Sequence, residues 1–167
     1  MPTIKNDTLT TEIKPDWGEI DHVRERTETF LKSCGFSDDI IHALQMVSSE
    51  LVENAVKYGD FSAGGNQKIT HSVDVRDGRI TVEVKNPVKP SDEDHLDRLD
   101  SQIQWIRGFQ NPFEAYVEKL KEVSAKMLAA GESGLGLVRI AYEGQSILDF
   151  YVDDHNILAV SAVLEYK

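Results

Sequence analysis

Three polar residues recur along one segment of the chain at a spacing that a helix normally gives to its buried apolar side chains. Glu50, Asn54 and Lys57 stand at positions i, i+4 and i+7 of this helical pattern, within the segment SSELVENAVKYG, residues 48–59. A carboxylate, an amide and an ammonium group can each contact a polar ligand, and none of them suits an apolar core. The spacing therefore predicts that these side chains face a half-buried pocket.

Helical geometry separates these polar residues from an apolar stripe on the same helix. The stripe is formed by Leu44, Val47, Leu51 and Tyr58. With about 100° per residue, the polar column lies on one flank of the stripe, at roughly −40° to −100° from its centre. Exposed pairs on a solvated helix face are the alternative, because charges four residues apart are common there. Asn54 favours the pocket, since asparagine is a poor helix former and its place beside the core needs another reason.

A glycine-rich segment, GESGLGLV at residues 131–138, gives a second signal for ligand binding. Ser133, Gly134, Leu135 and Gly136 precede or open a short helix, where free backbone N–H groups and the helix dipole favour an anion. Glycine also lets the backbone approach a phosphate closely. The signal is weak by itself, because it lacks the Gly-Lys-Ser/Thr ending of a P-loop and the preceding strand of a dinucleotide fold.

The elements that must position these residues follow from hydrophobic periodicity. We predict helices at residues 20–35 and 37–59, strands near residues 8–14, 69–75, 80–84, 147–152 and 157–166, and a helical segment over residues 91–130. Asp77-Gly78 between the second and third strands is a strong hairpin signal. The predicted fold class is α/β: an α+β two-layer sandwich, with a mixed, mostly antiparallel sheet and helices on one face.

Composition narrows the function further. The chain has 167 residues, a net charge of −11, a single cysteine and no long apolar run. Nucleic-acid binding is not expected, since it needs clustered Lys and Arg. Neither a membrane span nor a signal peptide is recognised, and a lone Cys34 allows no internal disulfide. These features predict one domain, residues 1–167, in the cytoplasm.

The order of the motifs resembles the GHKL ATPase superfamily, named for gyrase, the Hsp90 chaperone, histidine kinases and MutL. ELVENAVKYG is similar to its N-box, and ESGLGL is similar to its later glycine box. The resemblance covers roughly residues 8–166 and implies the Bergerat type of sandwich. The short chain and the absence of a histidine-bearing hairpin point to the small anti-sigma and partner-switching serine kinases of the SpoIIAB, RsbW and SiaB type.

This resemblance implies ATP and Mg²⁺ as cofactors and assigns roles to residues. Asn54 would coordinate Mg²⁺, Glu50 would activate the attacking hydroxyl, and Lys57 would contact a phosphate. The backbone of residues 133–136 would hold the phosphates, and residues 91–130 would form a long helical lid. The implied partner is a protein of the STAS-domain type, with a sigma factor or a phosphatase module as further candidates and a homodimer as a possible assembly.

One stretch departs from the family. An Asp-x-Gly-x-Gly motif normally follows the second hairpin strand, and its aspartate accepts a hydrogen bond from the adenine amino group. Here Asn86 takes the place of that aspartate, and Pro87 and Val88 stiffen the loop that follows. Two interpretations stay open: an ATP-dependent kinase whose adenine contact comes from Asn86, or a non-catalytic module of the same fold that acts by binding a partner.

Overall fold

The structure is a computed structural model that describes residues 3–62, 67–89, 93–125 and 135–166. These ranges contain ten elements in chain order: β1 (Asp7–Ile13), α1 (Glu19–Cys34), α2 (Asp38–Tyr58), β2 (Ile69–Arg76), β3 (Arg79–Pro87), α3 (Glu93–Arg107), α4 (Pro112–Ala125), α5 (Leu135–Tyr142), β4 (Ser146–Val152) and β5 (Ile157–Glu165).

The five strands form one sheet in the order β1-β2-β3-β5-β4. All four strand pairings are antiparallel, so the sheet that we expected to be mixed is antiparallel throughout the described residues. Asp77 and Gly78 both have positive φ, 53° and 84°, which is the backbone that a tight two-residue hairpin requires. The predicted β2–β3 hairpin is therefore confirmed.

One face of the sheet is covered by the helices, as predicted. Alternate residues of the three central strands point into the core, and the intervening ones remain partly accessible. The buried set comprises Ile69, His71, Val73, Val75, Ile80, Val82, Val84, Leu158, Val160, Ala162 and Leu164. Helix α2 packs against β2 and β3, with α1 beside it, so α2 runs along the centre of the sandwich.

The described part of the insert between β3 and α5 contains two helices. Helix α3 buries the stripe Leu99, Ile103 and Ile106, and α4 begins at Pro112, where Phe113 N–H donates to the Asn111 side chain at 3.0 Å. Asn111 therefore caps the first turn of α4. Phe113 on α4 is 46% exposed, so the domain covers only part of the insert's apolar surface. No helix within the described ranges is long and apolar enough to span a membrane.

Candidate functional site

A cavity of about 690 Å³ lies between α2, α3, α5 and the central strands. Its volume is within the range of small-molecule sites. Three side chains of the sheet, Val84, Leu158 and Val160, contribute apolar surface, and α2 and α3 contribute most of the polar side chains. The cavity brings together segments that are more than 80 residues apart in the sequence.

The polar column of α2 lines this cavity. Glu50, Asn54 and Lys57 all face it, together with Leu51, Ala55 and Tyr58 from the same helix. Glu50 and Asn54 are half-buried, and the Lys57 ammonium group lies 5.1 Å from the centre of the Tyr58 ring. The structure thus places the predicted column on the wall of a pocket, with Lys57 at its exposed end.

The first turn of α5 forms the opposite wall. Leu135 and Gly136, both predicted to hold phosphates, line the cavity. A Cβ atom built at Gly136 would collide with the Glu50 carboxylate, so a larger residue here would displace the end of the Glu50 side chain. The other two predicted phosphate residues, Ser133 and Gly134, lie outside the described residues.

Asn86 is the buried last polar side chain of β3 and also lines the cavity. Its amide nitrogen donates to the Pro87 carbonyl at 3.0 Å, and the same carbonyl accepts the Asp60 N–H at 2.8 Å. Val88 N–H donates to the Asn156 carbonyl at 2.9 Å. The stretch after β3 is therefore tied to its neighbours, and the Asn86 amide is oriented by a hydrogen bond that an aspartate could not donate.

Arg139 is a site residue that sequence reasoning missed. Its Nη1 lies 2.9 Å from Glu50 Oε1, and its Nε lies 3.0 Å from Glu143 Oε2. Burial raises the pKa of Glu50, and the nearby Glu53 carboxylate raises it further, while Arg139 opposes both effects. Arg139 occurs in the short segment VRIAY, which gives no local sign that it pairs with a residue 89 positions away.

The insert contributes the remaining wall. His95, Arg98, Leu99 and Gln102 of α3 line the cavity, and the His95 ring stacks on Tyr58 with centroids 4.4 Å apart. Within the segment predicted to form a lid, helix α3 therefore contacts the site. Trp17 also lines the cavity and is 56% exposed.

The comparisons with known proteins give a fold and no family. No family model matches the chain, and no curated protein matches it. A chain of the crystal structure of the SiaB–SiaC complex from Pseudomonas aeruginosa has the same fold. The TM-score is 0.69 and the sequence identity 20%, over 93% of this chain and 88% of that chain. This similarity establishes the shared fold.

A metal ion at this site would be held mainly by a bound small molecule and water rather than by protein side chains. Within the described ranges, no group of three or more His, Cys, Asp or Glu side chains is placed to hold a metal ion. Mg²⁺ differs from most metals in needing few protein ligands when substrate phosphates and water complete its shell. Asn54 on the cavity wall is compatible with that kind of site.

Changing Asn86 to aspartate should destabilise the protein, although the resemblance described above leads us to expect an aspartate at this position. The carboxylate would face the Pro87 carbonyl in a buried position without the donor that the amide supplies. We expect Asn86→Asp to lower the free energy of unfolding by about 2 kcal/mol near pH 7. Urea denaturation of both proteins measures the difference.

Asn111→Asp is the matched control for this change. Asn111 is an exposed residue whose side-chain oxygen accepts the Phe113 N–H at the start of α4, and a carboxylate can accept that bond equally well. The free energy of unfolding of Asn111→Asp should stay within about 0.5 kcal/mol of the wild-type value. Equal stabilities for Asn86→Asp and Asn111→Asp would contradict the role given to the Asn86 amide nitrogen.

Proposed function

We propose that this chain is an ATP- and Mg²⁺-dependent serine kinase of the GHKL type that acts on a STAS-like regulatory protein. One observation carries the proposal. Glu50 and Asn54 of α2, Asn86 of β3, and Leu135 and Gly136 of α5 all line a single cavity. Their sequence positions span 87 residues, so only the fold brings them together.

The residues present fit an adenine nucleotide with Mg²⁺. Asn54 would contact the metal ion, Lys57 would contact a phosphate, and the backbone at Leu135 and Gly136 would hold phosphate oxygens. Val84, Leu158 and Val160 offer apolar surface to a base. When bound, ATP would supply the phosphoryl group, and Mg²⁺ would offset the charge on its phosphates.

Glu50 has the properties of a general base in this proposal. It stands on the cavity wall one helical turn before Asn54. Burial raises the pKa of its carboxyl group, which makes the carboxylate a better proton acceptor than an ordinary surface glutamate. A serine hydroxyl that enters the cavity would give its proton to this carboxylate.

The regulatory setting rests on the fold neighbour. The similar chain belongs to a complex of two proteins, SiaB and SiaC. This supports a protein partner for the present chain and a place in partner switching, in which binding and phosphorylation of a regulator exclude each other.

A second candidate function is a module of the same fold that binds its partner without using ATP. The arrangement of Asn86 favours this candidate, because its amide nitrogen is hydrogen-bonded to Pro87 and the stiff Pro87-Val88 stretch replaces a flexible glycine loop. In that case the cavity would not bind adenine tightly, and Glu50 and Asn54 would have no catalytic role.

Thermal denaturation with Mg-ATP separates the two candidates. At about 100 times its Kd, the nucleotide should stabilise the protein by about 2.7 kcal/mol and raise its melting temperature by about 5–10 °C. Asn54→Ala should abolish the increase, whereas His42→Ala, on the exposed face of the same helix, should preserve it. No increase in the wild-type protein at millimolar Mg-ATP would favour the partner-binding module.

A further inference from the structure

Arg139 is in direct contact with Glu50. The guanidinium group divides its donors between two carboxylates, with Nη1 at 2.9 Å from Glu50 and Nε at 3.0 Å from Glu143. The Arg139 side chain is 37% exposed and the Glu50 side chain 17%. Arg139 therefore reaches from the rim of the cavity to its half-buried polar wall.

The carboxylate of Glu50 lies where two positively polarised groups converge. It accepts a hydrogen bond from Arg139. It also lies so close to Gly136, in the first turn of α5, that a Cβ atom there would collide with it. The N–H groups of a first helical turn lack intrahelical acceptors, so they add to the attraction for an anion. A phosphate group in the cavity would be attracted to the same guanidinium group as the Glu50 carboxylate.

This ion pair lies in a cluster of carboxylates. Glu53 and Glu143 place two further carboxylates near Glu50, and Glu50 is partly desolvated. Arg139 compensates for this charge, but a guanidinium group binds a doubly charged phosphate through two parallel hydrogen bonds at least as well as a carboxylate. Rotation of the two long side chains would be enough to exchange one anion for the other.

We infer that Arg139 is a phosphate-binding and positioning residue, which releases Glu50 when it takes a phosphate group of the nucleotide in its place. The same contact would then hold the ligand and free the Glu50 carboxylate to accept a proton. The nature of the anion rests on the proposed function. The sequence motifs gave no role to Arg139, so this residue extends the site beyond the expected one.

Binding affinities for ligands with and without phosphate test the exchange. Isothermal titration with adenosine and Mg-ATP should show Arg139→Gln weakening Mg-ATP at least about tenfold, with adenosine unchanged. Arg139→Lys keeps the charge and loses the fork of parallel donors, so it should recover part of the loss. Glu50→Gln removes the competing carboxylate and should strengthen Mg-ATP binding severalfold, again with adenosine unchanged.

The two variants are expected to change the affinity for Mg-ATP in opposite directions, so either one tests the exchange if the other is unstable. Mg-ATP binding that is unaltered by Arg139→Gln and by Glu50→Gln would overturn the exchange and leave the proposed function standing. Parallel loss of adenosine and Mg-ATP in Arg139→Gln would also overturn it, because the residue would then only support the cavity. No binding of Mg-ATP by the wild-type chain would overturn the proposed function and this inference together.

Discussion

Replacing Glu50 with glutamine is expected to lower the rate of phosphotransfer by about 10²–10⁴-fold. Glutamine has nearly the same shape and can still accept a hydrogen bond from Arg139, so the cavity should keep its form. It cannot take up the proton of a serine hydroxyl. The rate is measured as transfer of labelled phosphate from ATP to a STAS-domain protein, at saturating nucleotide so that binding does not limit it.

Glu28→Gln is the control for this prediction. Glu28 lies on α1, where its carboxylate is paired with Lys32, and it does not line the cavity. Its loss should change the rate less than about twofold, as expected for a surface substitution. A Glu50→Gln protein that binds Mg-ATP and transfers phosphate at the wild-type rate would rule out the general-base role.

Acid should destabilise the protein through a buried histidine that lies outside the cavity. His71 is fully buried on the inner face of β2, and its Nε2 lies 2.9 Å from the Ser48 hydroxyl of α2. Burial, and to a smaller extent the positive charge of Arg26, lower the pKa of His71 to about 4 from its ordinary value of 6.5. The folded protein therefore holds this imidazole neutral.

The sign of the pH effect follows from proton binding. Between pH 6.5 and about 4 the unfolded chain binds a proton at His71 and the folded chain does not, so the unfolded chain is favoured as the pH falls. The stability contributed by neutral His71 is complete above pH 6.5. We expect about 3 kcal/mol of it to be lost by pH 4.

His71→Leu isolates this effect. Glu50 acts in the opposite direction over an overlapping range, because its raised pKa favours the folded protein as the pH falls. The test is therefore the difference in pH dependence between wild type and variant, from urea denaturation between pH 7.5 and 4. The variant should show a shallower decline, and His42→Leu, on the exposed side of α2, should not. Identical declines in wild type and His71→Leu would contradict the assignment.

Local patterns predict the parts of the fold that local physics determines. The hairpin follows from Asp77-Gly78, because both residues tolerate the positive φ that the turn requires. The face of α2 that lines the cavity follows from helical periodicity, because a rotation of about 100° per residue determines which side chains lie on the same side of the helix. Strand direction is different: side chains alternate between the two faces in parallel and antiparallel strands alike, so the sequence predicted a mixed, mostly antiparallel sheet and did not settle that the described strands pair only in antiparallel fashion.

The missed parts of the site depend on contacts between distant segments. Arg139 pairs with Glu50 only because α5 packs across α2, and the close contact between Gly136 and the Glu50 carboxylate arises from the same packing. Neither feature has a local pattern. Similarly, the hydrogen bond from the Asn86 amide to the Pro87 carbonyl has no counterpart in the local sequence pattern.

We propose that the cavity between α2, α5 and the sheet binds a nucleotide. Amide ¹H–¹⁵N spectra recorded during a titration with Mg-ATP test it most directly, because every backbone N–H reports its own surroundings. We expect the largest shifts at residues 50–58, Asn86, Leu135 and Gly136, and we expect them to saturate together. Unchanged spectra at millimolar Mg-ATP, or shifts confined to residues that do not line the cavity, would contradict it.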